Sequence, residues 1–365
     1  VREKSFFRRR GVLFWTVLAV SWLAVSSCED GPIGDYKPDD GSGDVPGVSE
    51  AYVIETQDCG RTWGSPYRYG PASSLVDLER VDNLWGQEVI IASGTDANGK
   101  GVILRTTNLG VSWTKVLGDY SDVTFFTDLD AGSLPDWAAA VGDAGAIFVS
   151  RANGTGWVQK NSQTTADLLA VNFHKRHLDP MTGFAVGDNG TILRSVDSGE
   201  TWYALTSPTT LALNDVRAFG GFLRDPTFVV VVGYEGIVLR SLDVGASWNV
   251  QYLHGGRTLN AVHFSDEALN GGYGIAVSSG GQIFKSTDDG ATWALKATFA
   301  GIPLSDVRAT NLGFCVAVGE HHILFSEDQG ETWSVSYSDG ARRQYFYGLL
   351  LPNDSLYGIA VGKTY

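Results

Sequence analysis

Three kinds of side chain in this 365-residue chain have types and spacings that suit chemistry. The first is a carboxylate held in a short motif: a hydroxyl residue, then Asp, then Gly, then a second hydroxyl and Trp. Its cleanest copy is Ser195-Val-Asp197-Ser-Gly199-Glu-Thr201-Trp202. The second is a pair of arginines, Arg217 and Arg308, each ending an Asp-Val-Arg triplet. Arginines that grip a substrate carboxylate, set beside two carboxyl groups at a suitable separation, would serve glycoside hydrolysis. The third is histidine, in His174-Lys-Arg-His177 and His321-His322. Neither cluster has a Cys or His partner at metal-ligand spacing, so no metal is expected. No Gly-x-Ser-x-Gly elbow or phosphate loop occurs, and no cofactor is expected.

The carboxylate motif is repeated. Further copies occupy Thr56–Trp63, Thr106–Trp113, Ser150–Trp157, Ser241–Trp248, Ser286–Trp293 and Ser326–Trp333. From Trp63 to Trp333 the closing tryptophans lie 50, 44, 45, 46, 45 and 40 residues apart. A period in the forties with strand-like units marks a propeller or solenoid. The motif has a structural purpose at every position. Gly at its fifth place allows a left-handed backbone in a tight turn. Asp and the first hydroxyl accept hydrogen bonds from the turn's own N–H groups. Trp buries a large ring beneath the turn. The acceptor is Asp58, Asp197, Asp243, Asp288 and Asp328 in five copies, Asn108 in another and Ala152 in one. A catalytic group would not tolerate such replacement, so these residues read as fold staples.

The staples must sit between strands. A wider unit runs Leu-x-x-Val-x-Phe, then Ala-Val-Gly-x-x-Gly-x-Ile-x-x-Ser, as in Phe184–Ser195, Val231–Ser241 and Val316–Ser326. It predicts four strands per repeat. In one repeat these are Asn214–Phe219, Phe228–Val232, Ile237–Ser241 and Ser247–Tyr252, with a tight Gly233–Gly236 hairpin between the second and third. The first copy, at Thr56–Trp63, lacks preceding strands, and the C-terminal Tyr345–Leu351 and Leu356–Val361 lack following ones. Pairing Tyr52–Thr56 and Thr62–Tyr67 with those C-terminal strands completes a blade and removes an open edge. The expected fold is all-β: one seven-bladed propeller over residues 51–365, with four-stranded antiparallel blades and a two-plus-two closure.

The repeated motif is the Asp box of bacterial neuraminidases. The wider unit, quoted above, resembles the photosystem II stability and assembly factor family of seven-bladed propellers, over about residues 50–365. That resemblance implies a non-catalytic scaffold for a protein client at a membrane, with an arginine patch as the contact. In propellers the face opposite the Asp boxes carries the fourth-to-first and second-to-third loops, and loops commonly carry function. There lie Arg257, Arg342 and Arg343, the candidate partner-binding residues, with Lys363 nearby. Acidic hairpin residues Asp143, Asp188, Glu235 and Glu320 share that face and oppose a purely basic patch. The alternative is a glycoside hydrolase of sialidase or β-glucanase type, with a glycan as ligand. A sialidase-like site needs three arginines, a Tyr–Glu pair and an acidic proton donor. Only Arg217 and Arg308 suggest one, and Asn172 and His263 fill the same slot in other repeats.

Composition agrees with a soluble, self-repelling β protein. There are 45 Gly and 11 Trp, and the formal net charge is −14. Such a charge argues against nucleic acid or an anionic lipid surface as partner, and the chain is expected to be monomeric. Residues 1–27 read as a bacterial lipoprotein signal peptide: a basic start with Arg2, Lys4 and Arg8–Arg10, then apolar Gly11–Ala24. Leu23-Ala-Val-Ser-Ser-Cys28 resembles a lipobox, implying a lipid on Cys28 and an extracytoplasmic, membrane-anchored location. Residues 28–50 form a flexible acidic tether, with a reach of ~25 Å. Cys59 and Cys315 are left either as a disulfide, which that location permits, or as buried thiols.

Overall fold

In a computed structural model, the described residues are 51–64, 67–69, 74–81, 88–118, 123–131, 136–174, 180–219, 228–253, 257–265, 272–340, 344–351 and 358–364. The expected signal peptide, Cys28 and the tether lie outside them. The chain enters through β1 (Ala51–Thr56) and β2 (Tyr67–Tyr69). Blade 1 is β3 (Ser74–Val81), β4 (Val89–Thr95), β5 (Gly101–Thr106) and β6 (Thr114–Leu117). Blade 2 is β7 (Phe126–Ala131), β8 (Ala138–Gly142), β9 (Ile147–Ser150) and β10 (Val158–Lys160). Blade 3 is β11 (Leu168–Phe173), β12 (Gly183–Gly187), β13 (Ile192–Ser195) and β14 (Tyr203–Ala204). Blade 4 is β15 (Leu213–Phe219), β16 (Phe228–Gly233), β17 (Ile237–Ser241) and β18 (Asn249–Tyr252). Blade 5 is β19 (Leu259–Phe264), β20 (Gly274–Ser278), β21 (Gln282–Ser286) and β22 (Ala294–Thr298). Blade 6 is β23 (Leu304–Ala309), β24 (Cys315–Gly319), β25 (His322–Ser326) and β26 (Ser334–Ser338), and the chain ends in β27 (Gln344–Leu350) and β28 (Gly358–Thr364).

Each blade is an antiparallel sheet in chain order, and blade 7 has the order β2-β1-β28-β27. Strand β1 pairs with β28 from Ala51↔Lys363 to Thr56↔Gly358. The ring therefore closes two-plus-two, as the orphan first Asp box predicts, and its sheets have no open seam at the chain ends. One detail differs. The second N-terminal strand is Tyr67–Tyr69, not Thr62–Tyr67. Thr62 is still in the turn: its N–H and hydroxyl both donate to the Asp58 carboxylate, at 2.8 and 2.6 Å. Ser247 is tied to Asp243 in the same way, so β18 begins at Asn249 rather than Ser247.

The core is divided among the seams. In β16, Val229 and Val231 pack towards blade 3 while Val230 and Val232 pack towards blade 5. Alternation with apolar residues on both faces is what a sheet buried on both sides requires. Aromatic rings bridge the same seams. Trp137 and Trp202 meet Phe173 edge-on, with centroids at 4.5 and 5.6 Å. Phe219 stacks on Phe264 at 4.1 Å.

The Gly of Ala-Val-Gly also has a cause. First strands carry a register shift near their start, between Leu168 and Ala170 in blade 3. That bulge brings Asp167 O to 2.0 Å from where a Cβ on Gly187 would lie. Only glycine fits there. No helix among the described residues is long and apolar enough to cross a membrane.

Candidate functional site

The Asp boxes are staples, and they act across blades as well as within them. Asp197 Oδ1 accepts from Thr201 N at 2.9 Å and from the Ser195 hydroxyl at 2.8 Å, while Oδ2 accepts from the Thr201 hydroxyl at 2.5 Å. The Ser195 oxygen accepts from Gly199 N at 2.9 Å, and Trp202 Nε1 donates to Gly199 O at 3.1 Å. Against the cost of burial, the Thr201 and Ser195 hydrogen bonds hold Asp197 below the usual carboxylate range. Thr332 and Ser326 do the same for Asp328, which is lowered to about 2. Asn108 keeps the geometry, accepting from Ser112 N at 3.0 Å and donating to the Ser112 hydroxyl at 2.9 Å. At Ala152 the turn is held differently: the Ser150 hydroxyl donates to Thr155 O at 2.5 Å and the Thr155 hydroxyl to Ala152 O at 2.6 Å.

Between blades, a third-strand cation reaches the next box. Arg105 Nε donates to Asn153 O at 2.7 Å, Arg240 Nε to Asp289 O at 2.7 Å, and Arg194 Nη1 to Val244 O at 3.1 Å. Glu200, in the blade 3 box, pairs with Arg151 and Lys160 of blade 2 at 3.0 and 2.7 Å. Gly199, at φ 86°, lets the box settle against Val149 of blade 2, 3.0 Å from where a Cβ would be. These contacts on the Asp-box face tie neighbouring blades together. His174 belongs to it as a buried residue, with its N–H donating to Thr182 O at 2.9 Å; Lys175 to His177 lie outside the described residues.

First strands bring a second set of polar groups together at the centre of the ring. In one slot stand Asp77, Asp128, Asp215 and Asp306, and each accepts a backbone N–H from the next blade's first strand. The donors are Leu129, Val171, Val262 and Leu349, at 2.9, 2.7, 2.7 and 3.0 Å. Two residues on stand Glu79, Asp130, Asn172, Arg217, His263 and Arg308. Arg217 Nε donates to Val262 O at 3.0 Å, Asn172 accepts from Ala218 N at 2.8 Å, and His263 Nδ1 accepts from Ala309 N at 3.2 Å. Arg308 spans the closing blade. It lies 3.1 Å from Glu79 and 3.7 Å from Asp77 of blade 1, and 3.3 Å from Asp306 of its own strand.

Burial works against the Arg308 charge, but Asp306, Glu79 and Asp77 hold its pKa above the ordinary value. Burial pushes Asp306 up in spite of Arg308 and Arg217. Asp77 is raised to about 7 by burial, with Glu79 adding to it and Arg308 opposing. Asp128 is raised well above its ordinary value by burial and by the neighbouring Asp77. The arginines that suggested a carboxylate grip are thus spent on blade-to-blade contacts.

These inner aspartates are the residues that sequence reasoning missed. The signal was present, because Leu75-Val-Asp77, Phe126-Thr-Asp128, Leu213-Asn-Asp215 and Leu304-Ser-Asp306 are equivalent triplets. Among the described residues no group of three or more His, Cys, Asp or Glu side chains is arranged to hold a metal.

The opposite face carries the expected loops. Arg257 is exposed, its aliphatic stem lying over Gly280 of the blade 5 hairpin. Arg342 and Arg343 lie outside the described residues, so the structure does not bring the three together. Beside Arg257, the blade 4 hairpin and outer strand present Tyr234 and Tyr252, 50% and 57% exposed. The acidic hairpins are partly self-satisfied. Asp143 accepts from Thr124 N at 3.0 Å and from the Thr124 hydroxyl, and Asp167 from Ala144 N at 2.8 Å. His321 is buried, with Nδ1 2.6 Å from Gln344 O and its ring edge-on to Tyr345 at 4.8 Å. Lys363 Nζ sits 5.7 Å from the centre of the Tyr347 ring. A shallow open depression on this face is lined by Asn161, Gln163, Thr164 and Thr165.

Cys59 and Cys315 are both buried free thiols, which settles the open choice against a disulfide. The reason is the sheet between them. Cys315 packs with the blade 5 side of β24, its sulfur 3.4 Å from the Tyr273 hydroxyl. Gly60, next to Cys59, packs instead on Val316, which faces blade 7. Burial pushes the Cys315 thiol up to about 12, so it is unreactive.

No family model matches the chain, and no curated protein sequence matches it either. Among solved structures the fold is similar to one described as YCF48 bound to D1 peptide. The identity is 17%, the TM-score 0.59, and the match covers 91% of this chain and 94% of that one. It is also similar to YCF48 from Cyanidioschyzon merolae, at 16% identity and a TM-score of 0.58, covering 80% of this chain and 94% of that one.

Proposed function

We propose that this propeller is a non-catalytic scaffold, held at a membrane by a lipid on Cys28, that binds a protein client through the loop face opposite its Asp boxes. The observation that carries the reading is the fold likeness along nearly the whole chain to a propeller solved with a peptide bound. The fates of Arg217 and Arg308 support it, because both are consumed by contacts between blades. A fold hosts many functions, so the reading also needs a surface. The loop face supplies one, with Arg257 beside Tyr234 and Tyr252. Arg and Tyr are the residue types enriched in binding hot spots. Arg342 and Arg343 extend the contact. In a photosynthetic host the client is a photosystem II subunit, and the scaffold serves its assembly or stability.

The test is charge reversal of Arg257, Arg342 and Arg343 together in the lipidated chain, followed by capture of the client from cells. Partner recovery is expected to fall at least tenfold, a loss of ~1.4 kcal/mol or more. Unchanged recovery would sink the patch. Turnover of sialosides or β-glucans by the purified chain, with no partner captured, would overturn the scaffold reading itself.

A further inference from the structure

We infer that β18 is the edge at which the client docks: an extended client segment adds to it as a fifth strand, apolar at every second position and ending in an acidic residue. This rests on the reading of a protein client beside Tyr234 and Tyr252, and it names what that client presents. An outer strand has unpaired N–H and C=O groups, and proteins guard such edges with brevity, charge or a bulge. β2, β10 and β14 have three residues or fewer. β6 carries Lys115 and β22 Lys296, and both show a register shift against the strand inside them. β26 is uncharged but has the same shift. β18 differs from all of these. Its four residues, Asn249-Val250-Gln251-Tyr252, are uncharged and pair with β17 without a shift, from Ile237↔Tyr252 to Arg240↔Asn249. Leu253 N donates to Gly236 O at 2.8 Å, so by alternation Gln251 and Asn249 also turn their backbone groups inward. The N–H and C=O groups of Val250 and Tyr252 therefore point out of the sheet.

An apolar notch lies beside this edge. Gln251 reaches towards blade 5, where its Nε2 donates to Ala291 O at 2.9 Å. By alternation Val250 and Tyr252 turn towards blade 3, and they are 38% and 57% exposed. Across the seam, Leu205 packs with the core shared by blades 3 and 4, so Tyr203, two residues before it, turns towards blade 4; it is 53% exposed. In three other seams the fourth strand is latched to the next Asp box. Lys160 meets Glu200 at 2.7 Å, Gln251 meets Ala291, and Lys296 meets Glu331 at 2.6 Å. Between blades 3 and 4 the equivalent residues are Leu205 and Ala246, whose side chains cannot form such a latch. The rim there is walled by Tyr203, Val250 and Tyr252, over partly buried Leu205 and Trp248.

Charge sets the occupant as much as shape does. The cation facing the notch is Arg194, half-buried and in register with Tyr203. Its Nη1 donates to Val244 O of blade 4 at 3.1 Å, but its Nε has no partner among the described residues. Arg105 and Arg240, its equivalents, both use Nε on the next box, at 2.7 Å. Arg194 thus has donor capacity left for a carboxylate, in a charge-assisted pair. The neighbouring box carboxylates, Asp197 and Asp243, are bound within their own turns. A strand laid along β18 therefore needs apolar side chains against Tyr203, Val250 and Tyr252, and a carboxylate at the end nearest Arg194. Main-chain pairing supplies its affinity and the alternate side chains its specificity. A second copy of this chain is the competing occupant, and a net charge of −14 on each copy opposes it.

The test follows amide hydrogen exchange of the full chain by NMR, with and without a terminally capped peptide, Ser-Tyr-Thr-Val-Thr-Glu, as the probe. With the peptide, the Val250 and Tyr252 amides are expected to slow about tenfold or more, while Asn249 and Gln251, already paired inward, stay as they are. A peptide methylated on its backbone amides should have no effect, and these arms need no variant of the chain. Val250→Lys adds the kind of charge that guards other outer strands and should weaken the peptide about tenfold, whereas Val335→Lys, at the same place on β26, should not. Arg194→Gln should erase the preference for this peptide over one ending in Gln. No slowing in the wild type, or equal binding of the methylated peptide, refutes strand addition. Slowing without peptide that grows with protein concentration gives the edge to a second copy and overturns the client assignment. Client capture that survives Val250→Lys, yet is lost on charge reversal of Arg257, Arg342 and Arg343, would reject this edge and leave the scaffold reading standing.

Discussion

Asp288 makes the same three contacts as Asp197: it accepts from Thr292 N at 2.8 Å, from the Thr292 hydroxyl at 2.6 Å and from the Ser286 hydroxyl at 2.9 Å. Replacing it with Ala leaves the exposed Thr292 donors to water, so Asp288→Ala should cost ~0.5–1.5 kcal/mol in urea unfolding. Asp288→Asn should cost clearly less, because Asn108 shows that an amide satisfies the same turn. Asp197, Asp243, Asp288 and Asp328 are all held below the ordinary carboxylate value. Their contribution is present above about pH 4 and is lost as pH falls through their folded values. Acid unfolding should therefore begin below about pH 4, measurable by tryptophan fluorescence. At the ring centre, Arg308→Met leaves Glu79 and Asp306 uncompensated and should cost ~3–5 kcal/mol in the same urea assay. The box aspartates were legible in the sequence because their partners lie within four residues. Arg308 was not, because Glu79 lies 229 residues away. Only the closed ring brings them together.

At the scale of elements, the strand order and turn positions were readable from the repeat, while strand ends were not. β2 and β18 start later than their hydrophobic pattern suggests, since the seventh box residue stays bound to Asp58 or Asp243. The Ala-Val-Gly glycine was visible as a pattern without its cause. Its cause is the bulge that sets a neighbouring carbonyl against it. Gly187→Ala would force the Asp167 carbonyl to move. It should lower Tm by several degrees in a calorimetric scan, whereas Gly301→Ala, where a Cβ meets nothing within 4 Å, should carry only the strain of its φ of 81°. The box-to-box latches were equally hidden. Arg240 meets Asp289 O only because the next blade's turn is stacked beside it.

At the scale of the whole molecule, the ring owes its closure to β1 and β2, which the sequence marked by a box without preceding strands. Removing residues 51–69 should leave β28 with an open edge and expose Val316, Phe325 and Ala360, which pack in one cluster with Ile54. The expected result is loss of the single cooperative unfolding transition and concentration-dependent association, read by calorimetry and light scattering. Function was less legible than fold. Asp boxes, channel arginines and inner aspartates all turn out to hold blades together. The proposed partner surface is the loop face, and of its three candidate arginines only Arg257 is among the described residues. The most direct measurement is site-specific photo-cross-linking of the lipidated chain on cells, with the reactive group at Tyr234 on the loop face or at Leu242 on the Asp-box face, both exposed. The account predicts one protein adduct, formed from position 234, competed by the unlabelled chain and absent from position 242. Adducts from position 242 alone, or an equal yield from both faces, would contradict it.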